Sequence, residues 1–83
     1  MKQYKTKDFV LISTKFDLRE WVSTDKQYTI TTSSHEEARY FVYKWIGDWE
    51  WVGIQELSLD NAVKELNNMI ESGEIEKYTW KEH

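Results

Sequence analysis

The chain has 83 residues, a formal net charge of −4, and neither cysteine nor proline. One domain of this size withdraws only about 60–65% of its unfolded surface from water, yet Leu, Ile, Val and Phe supply nineteen residues, enough for one core and against wholesale disorder. Lack of cysteine excludes a disulfide scaffold, a thiolate metal site and a cysteine nucleophile, and His35 and His83 alone make no zinc site; the apolar run Phe9–Ile12 is far too short to span a bilayer, and no signal-peptide core is expected after Met1.

Asp8–Thr14 is a short apolar run rich in β-formers, which suits a strand covered on both faces. Phe16–Val22 begins with alternation, then slips at Glu20–Trp21–Val22, which predicts a bulge or a short helical turn. Ser23–Lys26 is a turn, and Gln27–Thr32 alternates as a strand with Tyr28, Ile30 and Thr32 on one face. Ser34-His35-Glu36-Glu37 has the spacing of a capping box. Behind it Ala38, Val42, Trp45 and Ile46 form a helical stripe that ends at Gly47 in the left-handed C′ position. The competing reading makes Tyr40–Ile46 a strand, with Gly47-Asp48 as a two-residue hairpin turn.

Trp49–Gln55 alternates as a strand, with Trp49 and Trp51 on one side, Val52 and Ile54 on the other, and Gly53 marking a bulge or a close backbone approach. Ser58 caps a helix with the apolar stripe Leu59, Ala62, Val63, Leu66 and Ile70, ended by Gly73. Ile75–Trp80 reads as a last strand. The order β-β-β-α-β-α-β predicts a small single α+β domain over residues 1–83, mostly antiparallel, with two helices packed on one sheet face. The other face is then where surplus aromatics emerge.

Charge is uneven: residues 1–26 carry +2 and residues 27–83 carry −6. The only cationic cluster is Lys2, Lys5 and Lys7, so direct nucleic-acid binding and an anionic membrane surface are disfavoured. An acidic chain prefers a basic partner. Thirteen aromatic residues exceed what so small a core encloses, and exposed aromatics typify the centre of an interface. The candidate partner-binding residues are Trp49, Trp51, Tyr40 and Tyr43 with the flanking Asp48 and Glu50; Glu71, Glu74 and Glu76 form a secondary acidic patch. An equal alternative places Trp49 and Trp51 in the core.

No Gly-rich phosphate loop is present, His35 sits where a solvated residue belongs, and the carboxylate pairs Asp48/Glu50 and Glu74/Glu76 have the look of solvated side chains. Glu56 and Asp60 fall short of a calcium loop's ligand count. The expectation is a non-enzymatic module with no cofactor or metal, which binds a protein partner having a basic surface, as monomer or homodimer. A phage or mobile-element inhibitor or accessory protein in a bacterial cytoplasm would suit the size, acidity and Lys-over-Arg bias. Two alternatives stand beside it: an aromatic platform for a carbohydrate or other small ligand, with Asn67 and Asn68 orienting hydroxyls, and a nucleic-acid mimic using Asp48, Glu50, Glu56, Asp60, Glu71, Glu74 and Glu76.

Overall fold

The computed structural model describes residues 3–15, 18–33 and 38–81. Strands β1 (Phe9–Ser13), β2 (Leu18–Ser23), β3 (Tyr28–Ser33), β4 (Tyr40–Trp45) and β5 (Trp49–Glu56) lie side by side in chain order, each antiparallel to the next. Helix α1 (Leu59–Ser72) follows, and short 3-10 turns cover Thr6–Asp8 and Glu74–Lys77. The α+β character holds, but the described residues contain one α-helix rather than two.

The first expected helix is replaced by β4. Its run Tyr-Phe-Val-Tyr-Lys-Trp is dense in β-branched and aromatic side chains, which lose less rotamer freedom in a strand than in a helix. Ser34–Glu37, the capping box, lies outside the described residues. Gly47 serves a hairpin loop, not a helix end: Trp45 pairs with Trp49, which leaves Ile46, Gly47 and Asp48 in the connection, with Gly47 at φ +88°. The expected strand Ile75–Trp80 is instead a 3-10 turn and an irregular tail. Ile75 plugs into the core, and the Lys44 ammonium donates to the carbonyls of Ile75 (3.3 Å) and Tyr78 (2.6 Å), so these are satisfied without a sheet ladder.

The bulge or helical turn expected at Glu20–Trp21–Val22 does not form in β2; the irregularity lies on its neighbour. Between the pairs Leu11–Trp21 and Ser13–Glu20, β1 carries one extra residue, Ile12, while β2 stays regular against β3. The Gly53 bulge is present in a larger form. One residue separates Phe41 from Tyr43, whereas three separate their partners Gln55 and Trp51, and Gly53 takes φ +85°.

Helix α1 forms as its sequence implies. The Ser58 side chain accepts the Asn61 N–H, and Gly73 closes the helix at φ +83°. Its buried face, Ala62, Val63 and Leu66, packs on Ile30, Val42, Val52 and Ile54, one side of the sheet. Tyr4, Phe9, Tyr28 and Ile75 complete this core. The segment before β1 is tied to the helix by Asn67, whose amide exchanges two 2.8 Å hydrogen bonds with the Tyr4 backbone. The Tyr4 hydroxyl donates to Asp25 (2.5 Å), which also accepts from the Ser23 hydroxyl and the Gln27 N–H in the β2–β3 turn.

Candidate functional site

Among the described residues there is one α-helix, and it covers one face of the sheet. Side chains alternate across a strand, so the register decides what the other face carries. Ile30 and Val42, opposite each other, point to the helix. Their neighbours Phe41, Tyr43 and Trp45 on β4 must therefore point away, as must Trp49, Trp51 and Gln55, which pair with them across β5. Thr29, Thr31 and Ser33 continue this face on β3, and Leu18, Glu20 and Val22 on β2. Val10 and Ile12 extend it onto β1, where they share a shallow hollow with Val22. The uncovered face is thus aliphatic at the β1–β2 side and aromatic at the β4–β5 side.

The aromatic half is large and solvent-facing. Trp51 is 45% exposed, and Trp45 and Trp49 are 37% exposed each. Trp45 and Trp49 meet edge to face at 5.1 Å, Phe41 and Trp51 likewise at 6.2 Å, and Trp80 reaches Trp45 from the C-terminal tail at 6.3 Å. The Trp51 indole N–H donates to the Ile54 carbonyl at 3.0 Å, which fixes the ring's tilt. Edge-on packing makes a ridged surface rather than a flat platform. Beside the ridge, Leu18, Glu20, Thr31, Phe41 and Tyr43 line a groove of about 480 Å³ whose rim includes Ser13 and Lys15. A smaller hollow adjoins it through Glu20, Thr31 and Tyr43 and reaches Trp49.

The sequence candidates divide between the two faces. Trp49, Trp51 and Tyr43 come together on the open face, and the core alternative for the two Trp residues is not what the structure adopts. Asp48 sits in the loop beside them, exposed, its carboxylate accepting the Trp49 N–H at 2.9 Å. Tyr40 lies on β4, not on a helix, and turns to the covered side, where it packs on Trp21 at 5.8 Å. Glu50 also turns to that side and pairs with Lys81 at 3.3 Å. Both partners are 44% exposed, so this contact is worth little. Glu71, Glu74 and Glu76 are exposed at the end of α1 and on the following turn, apart from the aromatic ridge.

The wider acidic set forms no single track. Asp48 and Asp60 lie beyond opposite ends of β5, and Asp60 accepts the Thr6 hydroxyl. Glu56, Glu65 and Glu74 do converge, with Lys77 and Tyr78, on a groove of about 380 Å³ between β5 and α1. Asn67, offered for sugar hydroxyls, is occupied with the Tyr4 backbone, and the Asn68 amide donates to Glu65 at 3.4 Å.

Phe41, Trp45, Leu18, Val10 and Ile12 were not among the sequence candidates. Reading Tyr40–Trp45 as a strand would have found the first two, because its odd positions share a face with Trp49 and Trp51.

The tyrosines with perturbed ionisation lie in the core, not on this face. Burial, then Asp25 and Glu76, pushes Tyr28 up to about 12. Burial, then the hydrogen bond and charge of Asp25, raises Tyr4 further. Among the described residues no three His, Cys, Asp or Glu side chains gather as metal ligands, and no helix is long and apolar enough to cross a membrane.

Comparison with known proteins brings no relative: no family model matches the chain, and no significant match is found among the curated proteins or the solved structures.

Proposed function

We propose that the chain is a non-enzymatic protein-binding module that works by covering a partner's surface with the open face of its sheet. The observation that carries this reading is the row of half-exposed Trp45, Trp49 and Trp51, on the same face as exposed Val10, Ile12 and Leu18, with Thr29, Thr31 and Ser33 of β3 between them. Together these six residues expose on the order of 600 Å² in two patches, close to one side of a standard interface. Large rings set among smaller groups are the usual anchors of such contacts. A basic partner fits best, because Asp48 borders the ridge and Glu56, Glu65 and Glu74 line the adjoining edge. Arginine and lysine side chains would meet aromatic rings and carboxylates together. Blocking a basic surface of another protein is the activity this suits.

The test is affinity capture from cell extract at low and high salt, with wild type and a folded Trp49→Ala/Trp51→Ala variant side by side. A protein retained by wild type, weakened by salt and lost with the variant supports the reading. Equal capture by both contradicts it.

The groove beside Phe41 and Tyr43 favours one second reading. Its volume falls in the range of small-ligand sites, and an aromatic wall facing Thr31, Glu20 and Lys15 suits a polyhydroxylated ligand such as a short sugar. Sugar binding there would barely respond to salt and would be lost in Tyr43→Ala while Trp49→Ala retains it.

A further inference from the structure

The open face is asymmetric in a regular way. One row of cross-strand neighbours runs the width of the sheet: Val10, Val22, Thr29, Tyr43 and Trp51. It is aliphatic on β1 and β2, small on β3, and aromatic on β4 and β5. Adjacent positions repeat the pattern, with Ile12 and Leu18 on one side, Thr31 and Ser33 in the middle, and Phe41, Trp45 and Trp49 on the other. Relief follows size. The rings stand up as a ridge, whereas Val10, Ile12, Val22, Thr24 and Lys26 surround a hollow of about 300 Å³.

Two sheets packed face to face lie about 10 Å apart, so facing side chains must together fill that gap everywhere. A face with a high side and a low side achieves this when high meets low and small residues meet in the middle. We propose that the open face packs on the same face of a second copy, about a two-fold axis that lies between the sheets and runs along β3. This rests on the reading of the face as a binding surface and gives it an occupant from the chain itself.

Under that axis β5 lies over β1 of the other copy and β4 over β2. Trp51 covers Val10, Tyr43 covers Val22, and Thr29 faces Thr29. The ridge enters the hollow twice, once in each direction, so the contact is isologous and closes at two chains. The strands of the two sheets are aligned, as in a β-sandwich. An axis across the strands would instead set ridge on ridge and hollow on hollow, and the sheets would splay.

Charge and area agree with this arrangement. The β2–β3 turn and the β4–β5 loop lie at the same end of the sheet, since the Trp45 N–H donates to the Gln27 carbonyl at 2.8 Å. Lys26, in that turn, therefore comes near Asp48 of the other copy; both side chains are exposed. Glu20 is the only charged side chain on this face within the described strands, and its carboxylate accepts from the Thr29 hydroxyl at 3.3 Å. Its burial is the main cost of pairing. With Val22, Phe41, Tyr43 and Gln55 added to the six exposed apolar residues, the face offers on the order of 800 Å², one side of a standard interface. Pairing and partner binding use the same rings, so they compete.

The test is sedimentation of the full chain from about 1 µM to about 1 mM, with isotope-filtered NOE spectra of mixed labelled and unlabelled chain at the upper concentration. The average mass should rise from one chain of 10.1 kDa toward twice that value and stop there. Intermolecular NOEs should join the Trp51 indole to the Val10 methyls and the Tyr43 ring to the Val22 methyls, a result that needs no variant. Folded Trp51→Ala and Val10→Asp should each need at least roughly tenfold more chain to dimerise. An equimolar mixture of the two should associate better than either alone, because one intact ridge then meets one intact hollow. Leu11→Lys, on the helix-covered side, should dimerise like wild type. Wild type that stays monomeric at about 1 mM overturns the proposal. So do NOEs that join ring to ring across the interface, a mixture of folded variants no better than its components, or a dimer that Leu11→Lys abolishes and Val10→Asp spares. The partner reading fails separately. A monomeric chain whose capture of a partner needs Trp49 and Trp51 removes the dimer alone. A face-to-face dimer with equal capture by wild type and Trp49→Ala/Trp51→Ala removes the partner reading alone.

Discussion

Leu66 has no exposed surface and sits where α1 meets the middle of the sheet. Leu66→Ala should therefore cost about 2–5 kcal/mol, read as a lower urea midpoint, and an unchanged midpoint would refute its place in the core. The buried tyrosines make a second prediction, in pH. Tyr28 is pushed up to about 12 by burial and by the charges of Asp25 and Glu76, so the fold favours its neutral phenol. The associated stability is fully present below the ordinary tyrosine pKa of about 10 and is lost as pH climbs from there toward 12. The urea midpoint should be level from pH 7 to 9 and fall above 10, and Tyr28→Phe should lessen that fall, the rest of it belonging to Tyr4, which burial and Asp25 raise further. An equally steep fall in the variant would assign it to other groups. On the open face, by contrast, Trp49 and Trp51 remain in contact with water, and burial does not account for their full area.

At the scale of elements, α1 is held by local chemistry. Ser58→Ala removes the side chain that accepts the Asn61 N–H and should lose about 0.5–2 kcal/mol. Gly53→Ala should also destabilise, by about 1–2 kcal/mol, because φ +85° is costly for an L side chain even though the nearest atom to a new Cβ, the Tyr78 hydroxyl, is 3.9 Å away. Unfolding midpoints equal to wild type would count against either. The clarity of α1 in the sequence has the same origin as its stability: cap, apolar stripe and terminal glycine all agree. The β4 segment is different. Val42 and Ile46 are buried in the hairpin just as a helical stripe would require, so burial at those two positions fits both periods. Only the pairing of Tyr43 with Trp51 and Trp45 with Trp49 separates the readings, and pairing is a long-range property that spacing does not carry. The tail after Gly73 was misread for a related reason: its carbonyls are satisfied by Lys44, thirty-one residues or more away in sequence. The split of Glu50 from Trp49 and Trp51 was legible in strand alternation. The placement of Tyr40 and Tyr43 on opposite faces was not, because it depends on β4 being a strand.

At the scale of the molecule, the described residues make a five-strand sheet with a single helix, and none of them forms a layer over the other broad face. That face collects aromatic rings from β4–β5 and aliphatic side chains from β1–β2, while much of the acidity lies along the β5–α1 edge and the end of the helix. In the proposed function, binding energy comes from the rings and attraction of a basic partner from the carboxylates. Truncating a central anchor typically costs 2 kcal/mol or more, about thirtyfold in affinity, whereas neutralising peripheral charges mainly slows association. The direct measurement is the affinity and dissociation rate of the captured partner for folded Trp49→Ala, set against Glu71→Gln/Glu74→Gln. Trp49→Ala should give at least a roughly thirtyfold weaker complex with faster dissociation, and the glutamate variant a less than about threefold change, confined to the association rate. Unchanged affinity in Trp49→Ala with a large loss in the glutamate variant would contradict the proposed function and move the interface to the acidic end of the helix.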